Sequence, residues 1–273
     1  MEAVSKEHYR LIKTLMDLPS LKQFNLGGGT SLALRYNHRI SLDVDLFAQG
    51  VVGAEAMMII KTELESNLDG VKVELNNAQH DSLSFISATV PVNKSQSQKP
   101  EVIQVEIIQN LKNLYAPDMV GGVRFIKIDD IGALKLLSVV GRGVRKDFYD
   151  LHLLTEIKPL RHYYDLLMEY QKINVGSEPN IFDQMSPSNG GEKAVLSKDL
   201  SILADFNRAS LERIKSNQIR SVPDCKIVNM EQSWQIIKGA WKKKVKEFAL
   251  ERGLKFQETP VKRKNKNQNW FIK

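Results

Sequence analysis

Residues 26–47 read LGGGTSLALRYNHRISLDVDLF, and this stretch decides the fold. A short apolar entry, Phe24 to Leu26, runs into three glycines, Gly27 to Gly29, and then into a helix begun by LALRY. Thr30 and Ser31 stand where they can cap that helix. Residues 40–47, ISLDVDLF, alternate apolar and polar, which is the period of a strand. Asp43 and Asp45 are two apart on it and so point to one face. Two neighbouring carboxylates repel each other unless a cation neutralises them, and a hard cation such as magnesium suits oxygen ligands. An isolated Asp-x-Asp is most often a solvent-facing strand edge. Here it follows a glycine turn that opens a helix. Backbone amides in such a turn cradle phosphate oxygens. Gly28 and Gly29 let a phosphate approach where a Cβ would clash, and Thr30 and Ser31 add hydroxyl donors. Together these features outline a nucleotide–metal site.

Upstream, residues 4–18 carry Tyr9, Leu11, Ile12, Leu15 and Met16 at helical spacing. Downstream, residues 53–67 are again helical, followed by β-like runs at 71–75, 82–90 and 101–108. Residues 92–100 form a polar loop ending in proline. Beyond about residue 125 the pattern turns helical, with Asp129 or Asp130 as a cap for IGALKLLSVV. Further helices are expected over DFYDLHLL, 160–172, 192–215 and 231–250, with a Gly/Ser/Pro/Asn-rich stretch at 174–191. The expected architecture is α/β (α+β): a small mixed sheet with flanking helices in residues 1–125, and a helical domain over 126–255 that completes the site. Residues 256–273 form a basic, flexible tail.

Composition excludes several classes. With 42% hydrophobic and 26% charged residues in a chain of 273, wholesale disorder is excluded. No stretch approaches the roughly 18 apolar residues of a membrane span. The opening MEAVSKEHYR lacks the apolar centre of a signal peptide, and the expectation is a cytoplasmic protein. A single cysteine, Cys225, excludes an internal disulfide framework and a multi-cysteine zinc site. Charge is uneven. Residues 236–273 hold 12 Lys/Arg and 3 Asp/Glu, a net of +9, against −2 for the other 235 residues. Such an excess attracts a polyanion or serves as a solvated tail.

A two-metal phosphoryl-transfer site commonly uses a third carboxylate. In VIQVEII, Gln104 and Glu106 share one face, and Glu106 is the candidate if that face meets the Asp43/Asp45 strand. A surface Glu on an edge strand is the alternative, and Glu74 and Glu101 are weaker competitors. His80, His152 and His162 show no metal spacing and read as structural or surface. Trp234, Ile237, Trp241, Val245 and Phe248 form an apolar helical stripe for the core. Lys238, Lys242 and Lys246 form the opposite ridge. Lys135, Arg142 and Lys146 are spaced seven and four apart, one cationic face if their helices are nearly continuous. That face could meet the β- and γ-phosphates, with Asp147 and Asp150 orienting it.

The quoted stretch resembles the first motif of the AbiEii/AbiGii toxin family of nucleotidyltransferases, whose pattern is G-G-T/S followed by H-R-x-S-x-D-x-D-hydrophobic-F. GALKLLSVVGRGVRKDFYDLHLL resembles that family's later block: a helix lysine, an arginine near the helix end, then K/R-D-x-x-D-L. The family belongs to the DNA polymerase β-like nucleotidyltransferase superfamily. The resemblance implies that Gly28, Gly29 and the adjacent hydroxyls form the phosphate turn. It matches Asp43 and Asp45 to the metal pair, Lys135 to the helix lysine, Lys146 and Asp147 to the K/R-D pair, and Asp150 to the second aspartate. The third catalytic strand often carries aspartate where this chain has Glu106.

The implied activity is magnesium-dependent transfer of a nucleoside monophosphate from a nucleoside triphosphate to an acceptor hydroxyl, with transfer RNA as acceptor and two metals suspected. Asp43, Asp45 and Glu106 would hold metal; Lys135, Lys146 and Asp147 would complete the catalytic set. Gly28, Gly29, Thr30, Ser31, Arg142 and Asp150 would contact the nucleotide. The resemblance also implies the toxin of a toxin–antitoxin or phage-defence pair, with a cognate antitoxin as partner. The alternatives are transfer to a small molecule such as an antibiotic, and a non-catalytic nucleotide-binding module.

Overall fold

The computed structural model describes residues 2–76, 83–92, 102–141, 143–173, 196–206, 226–228 and 233–257. Arg142, His80, Cys225, most of the 92–100 loop, the 174–191 stretch and the tail from 258 onward lie outside the described residues.

Elements follow in the order α1 (Lys6–Asp17), β1 (Phe24–Leu26), α2 (Gly28–Tyr36), β2 (Asp43–Ala48), α3 (Gly53–Asn67), β3 (Lys72–Asn76), β4 (Phe85–Pro91) and β5 (Val102–Ile108). A short hairpin of β6 (Asp118–Val120) and β7 (Val123–Phe125) precedes helices α4 (Ile128–Gly141), α5 (Arg145–Ile157), α6 (Leu160–Ile173) and α7 (Trp234–Arg252). The seven strands form one mixed sheet in the order β3-β4-β5-β2-β1-β7-β6. β2 and β5 are parallel neighbours at its centre, as are β1 and β7 further along; the other pairs are antiparallel.

The period of two along the central strands separates the sheet's faces. Val44 and Leu46 of β2, Ile86 and Ala88 of β4, and Ile103, Val105 and Ile107 of β5 are buried in one apolar cluster with α1 and α3. Helix α3 meets it through Met57, Ile60 and Leu64, the three-and-four spacing of one helix face. Each such side chain contributes roughly 1.5–3 kcal/mol on burial. The opposite face carries the acids, and beyond them Phe47 and Ile108 join a second cluster with Leu32 of α2 and residues of α4, α5, α6 and α7. The two halves of the chain therefore share a core, and the acidic face lies toward their junction.

Two local expectations are corrected. Tyr9 is half-exposed, whereas His8 takes the inward position on α1, with Ser5 capping the helix by accepting from the His8 amide at 3.1 Å. The helix expected over 192–215 is not continuous where it is described: Leu196 is helical, but residues 197–206 turn away from helix and hold a short 3-10 turn, Ser201–Ala204. Asp199 accepts from the Ser201 amide at 2.8 Å and pairs its backbone with Lys255, an alternative to helix that short polar side chains favour. No helix among the described residues is long and apolar enough to cross a membrane.

Candidate active site

The site is assembled from β2 outward. Parallel pairing sets Asp43 beside Gln104 and Asp45 beside Glu106. Neighbours in register share a face, so the three carboxylates Asp43, Asp45 and Glu106 lie on the same side of the sheet centre. The glycine turn is laced to this strand: the Gly27 amide donates to the Asp45 carbonyl at 2.9 Å. Gly28 has φ +61, and a Cβ there would run into the Asp45 carboxylate. A side chain is thus excluded both by conformation and by space. A Cβ on Gly29 would strike the Arg39 guanidinium.

Thr30 and Ser31 do not serve as expected. Gly27 is the N-cap of α2, with no side-chain cap bond, and both hydroxyl residues are fully buried inside the helix. Thr30 Oγ1 donates to the Asp43 carbonyl and lies 2.9 Å from Ser41 Oγ, and Ser31 Oγ accepts from Arg35 at 3.2 Å. Thr30 thereby fastens α2 to β2, whereas the Ser31 hydroxyl is engaged with Arg35 of the same helix.

The second block folds differently from one continuous cationic face. Helix α4 ends at Gly141 and α5 begins at Arg145, with Val144 extended just before it. Lys135 consequently points inward. Its Nζ donates to Asp147 at 3.1 Å and lies 2.6 Å from Asp150, all three being buried. Asp150 is wholly enclosed. Arg39 grips it with two donors at 2.6 and 2.8 Å, and His38 Nε2 lies 2.8 Å from the same carboxylate. Burial alone would raise the Asp150 carboxyl, but Arg39 and Lys135, with the bonds from Arg39 and His38, hold it well below the usual carboxylate range. Asp150 is thus a buried anchor, with no surface to offer a nucleotide. Lys146 separates from the others: its Nζ donates to Asp43 Oδ2 at 2.8 Å, with side chains 30% and 40% exposed.

His38 and Arg39 belong to the site although the sequence reading gave them no role. Their signal was present, since they lie between the glycine turn and the aspartates, and Asp150 needed a cation once buried. His8 is a second omission. It is buried beneath Ser41 and Asp43, and burial pushes its pKa down to about 4 against the opposing pull of the Ser41 backbone and the Asp43 charge.

Hard carboxylate oxygens on one face are the donor set magnesium takes. Asp43 and Asp45 fit it as a pair with Glu106 alongside, although no three ligating side chains among the described residues close up into a preformed metal cluster.

A glycine turn fastened to a strand with two same-face aspartates, on a mixed sheet backed by helices, is the frame of a nucleotidyltransferase. A crystal structure from H. pylori assigned as a nucleotidyltransferase shares the fold at TM-score 0.50, 16% identity, and coverage of 91% of this chain and 94% of that one. MenT4, a nucleotidyltransferase toxin of Mycobacterium tuberculosis, aligns at TM-score 0.44 and 15% identity over 87% of this chain and 95% of that one. An uncharacterized protein of Aquifex aeolicus is 24% identical over 249 residues, 91% of this chain and 98% of its own length. The family described as "Nucleotidyl transferase AbiEii toxin, Type IV TA system" matches residues 10–239. The chain belongs to that family: it is a nucleotidyltransferase toxin of the type IV toxin–antitoxin class.

Proposed function

We propose that this toxin moves a nucleoside monophosphate from a nucleoside triphosphate onto a hydroxyl of RNA, with transfer RNA as the acceptor class, in a magnesium-dependent reaction. The observation that carries the reading is the register of β2 and β5, which sets Glu106 beside Asp45 on the face that the Gly28 turn adjoins. Asp43 and Asp45 would hold the metal, with Glu106 as a further ligand or as the base toward the acceptor hydroxyl. Bound there, magnesium would offset charge on the phosphates as the bond to pyrophosphate breaks. The amides of Gly28 and Gly29 would receive phosphate oxygens at the start of α2. The acceptor oxygen would attack the α-phosphorus, its proton passing to the base as pyrophosphate departs. Lys135 and Asp147 would act by holding α4 to α5. The net of +9 in residues 236–273 supports a polyanionic acceptor over a small molecule. A cognate antitoxin is the expected partner for a toxin of this class.

The test is incubation with each labelled nucleoside triphosphate and total RNA. Label should enter a small-RNA band with magnesium and not with EDTA, and Asp45→Ala should lower incorporation by at least about a hundredfold. The same variant should relieve the growth arrest caused by wild-type expression at equal protein level. Label entering only a small molecule would favour the antibiotic-type acceptor instead.

A further inference from the structure

The two ion pairs that tie α5 to β2 and to the segment just ahead of it have opposite polarity and different depth. Arg39, four residues before Asp43 in the chain, is the cation of one, with Asp150 of α5 as its anion. Asp43 is the anion of the other, with Lys146 of α5 as its cation. Lys146 and Asp150 stand at i and i+4, one face of the helix. Arg39 and Asp150 are at most 3% exposed, whereas Asp43 and Lys146 are 40% and 30% exposed. Opening a buried pair strands two charges without solvent. A half-exposed pair opens into water at little cost. One clamp is therefore fixed and the other can release.

What the releasable pair blocks is specific. Asp43 Oδ2 accepts from the Lys146 ammonium at 2.8 Å, and that lone pair cannot serve a metal at the same time. The ammonium is also a positive charge at the point where a divalent cation must arrive. A triphosphate changes the balance, because its oxygens give the displaced ammonium a new partner. We infer that Lys146 is a displaceable counter-ion of Asp43: it opposes divalent metal binding alone and favours metal arriving with a triphosphate, while Arg39–Asp150 holds α5 in place. The inference rests on the metal-dependent reading above and deepens it, since it makes metal and nucleotide binding mutually dependent.

The experiment compares wild type, Lys146→Met and Lys146→Arg in Mn2+ titrations read by the paramagnetic resonance signal of free Mn2+. A second arm uses equilibrium dialysis of labelled α,β-methylene ribonucleoside triphosphates at fixed, saturating Mn2+. Thermal melting of each protein confirms folding; the partly exposed side chain allows substitution without a buried charge being left behind. Lys146→Met should bind Mn2+ alone about fivefold tighter, the worth of losing one half-exposed pair. The same variant should bind the triphosphate several-fold more weakly, and Lys146→Arg should restore the wild-type pattern in both arms. Opposite signs in the two arms distinguish a counter-ion from a residue that only holds the fold, which would weaken both. Unchanged Mn2+ affinity, or a loss in both arms, overturns the inference while leaving the metal site standing. No Mn2+ binding by any of the proteins, with or without triphosphate, removes the metal-dependent reading and the inference with it.

Discussion

His8 shows what burial does to a single ionisable group next to a site. It sits on α1, is 1% exposed, and has a pKa pushed down to about 4, so it is neutral in the folded protein at pH 7. An unfolded histidine protonates near 6.5. As pH falls from 6.5 toward 4 the unfolded chain binds a proton that the folded one refuses, and stability is lost across that window. Asp130 acts in the opposite sense. Its carboxyl, which accepts from the Leu114 and Tyr115 amides, is raised by burial to about 6, so the fold gains relative stability as pH drops through 6. The two offset in the wild type, and a variant isolates one of them. His8→Leu should lose less stability than the wild type between pH 7 and pH 5, by about 2 kcal/mol from a shift of this size. Denaturant melts of both proteins at the two pH values measure it; equal losses would mean His8 titrates normally. The sequence could not mark His8 as special, because helical spacing fits His8 or Tyr9 at the boundary of the buried stripe. Only the approach of Ser41 from a distant part of the chain decides which turns inward.

Helix α5 carries the argument at the scale of elements. Its residues were legible as chemistry: the sequence places Lys146, Asp147 and Asp150 in one block and pairs that block with the aspartates of β2. Their division of labour was not legible. Periodicity continued across Gly141 and Gly143 puts Lys135 and Lys146 on one face, but the break ahead of Arg145 turns Lys135 to Asp147 and Asp150 and leaves Lys146 for Asp43. Which cation goes inward depends on Arg39 and His38, contributed more than a hundred residues earlier. By contrast, the neighbouring of Asp45 and Glu106 was readable as a condition, because alternation already put each acid on a definite face and only the strand order was missing. The anchor role makes a sharp prediction. Asp150→Ala would take from buried Arg39 the carboxylate that grips it and leave Lys135 only Asp147, and unfolding should become easier by about 3–5 kcal/mol. Asp43→Asn, at a half-exposed position, should cost under about 1 kcal/mol. Denaturant midpoints of the two variants compare them directly, and similar losses would show that the buried cluster is no anchor. For the same reason, an inactive Lys135→Ala protein is informative only with its melting curve beside it.

Across the whole molecule, charge is partitioned between a near-neutral body and a cationic end, and the structure divides that end again. Several cations of α7 and just beyond it are already engaged within the fold. Lys244 reaches Thr155 at 2.9 Å and also bonds Glu156, Arg252 bonds Asp165, Lys255 lies 3.5 Å from Asp199, and Lys238 sits 5.1 Å over the Phe206 ring. The same helix buries Ile237, Trp241, Val245 and Phe248, so it is a structural member as the apolar stripe implied. Among its lysines Lys244 is paired with Glu156, Lys243 lies 3.8 Å from Glu247 and Lys238 rests on a ring, so part of this positive face is already engaged within the fold. Residues 258–273 hold five more, Lys262, Arg263, Lys264, Lys266 and Lys273, against the single acid Glu258. If RNA is the acceptor, this segment supplies phosphate contacts and no chemistry, because the carboxylates lie on β2 and β5. Each phosphate neutralised on a single strand adds about −0.7 to the slope of log affinity against log salt. A chain ending at Gln257 keeps the Gln257–Ser201 and Lys255–Asp199 contacts that close α7 onto the body. It should bind RNA more weakly at low salt, with a slope shallower by about 0.7 for every contact removed, and should incorporate nucleotide at the wild-type rate once RNA is saturating. Replacing Lys238, Lys242 and Lys246 with Gln in the full-length chain should change the slope less than the truncation does. Filter binding across a salt series, followed by turnover at saturating RNA, separates these effects. An unaltered slope in the truncated chain would assign the segment to solubility alone and move the choice of acceptor toward a small molecule.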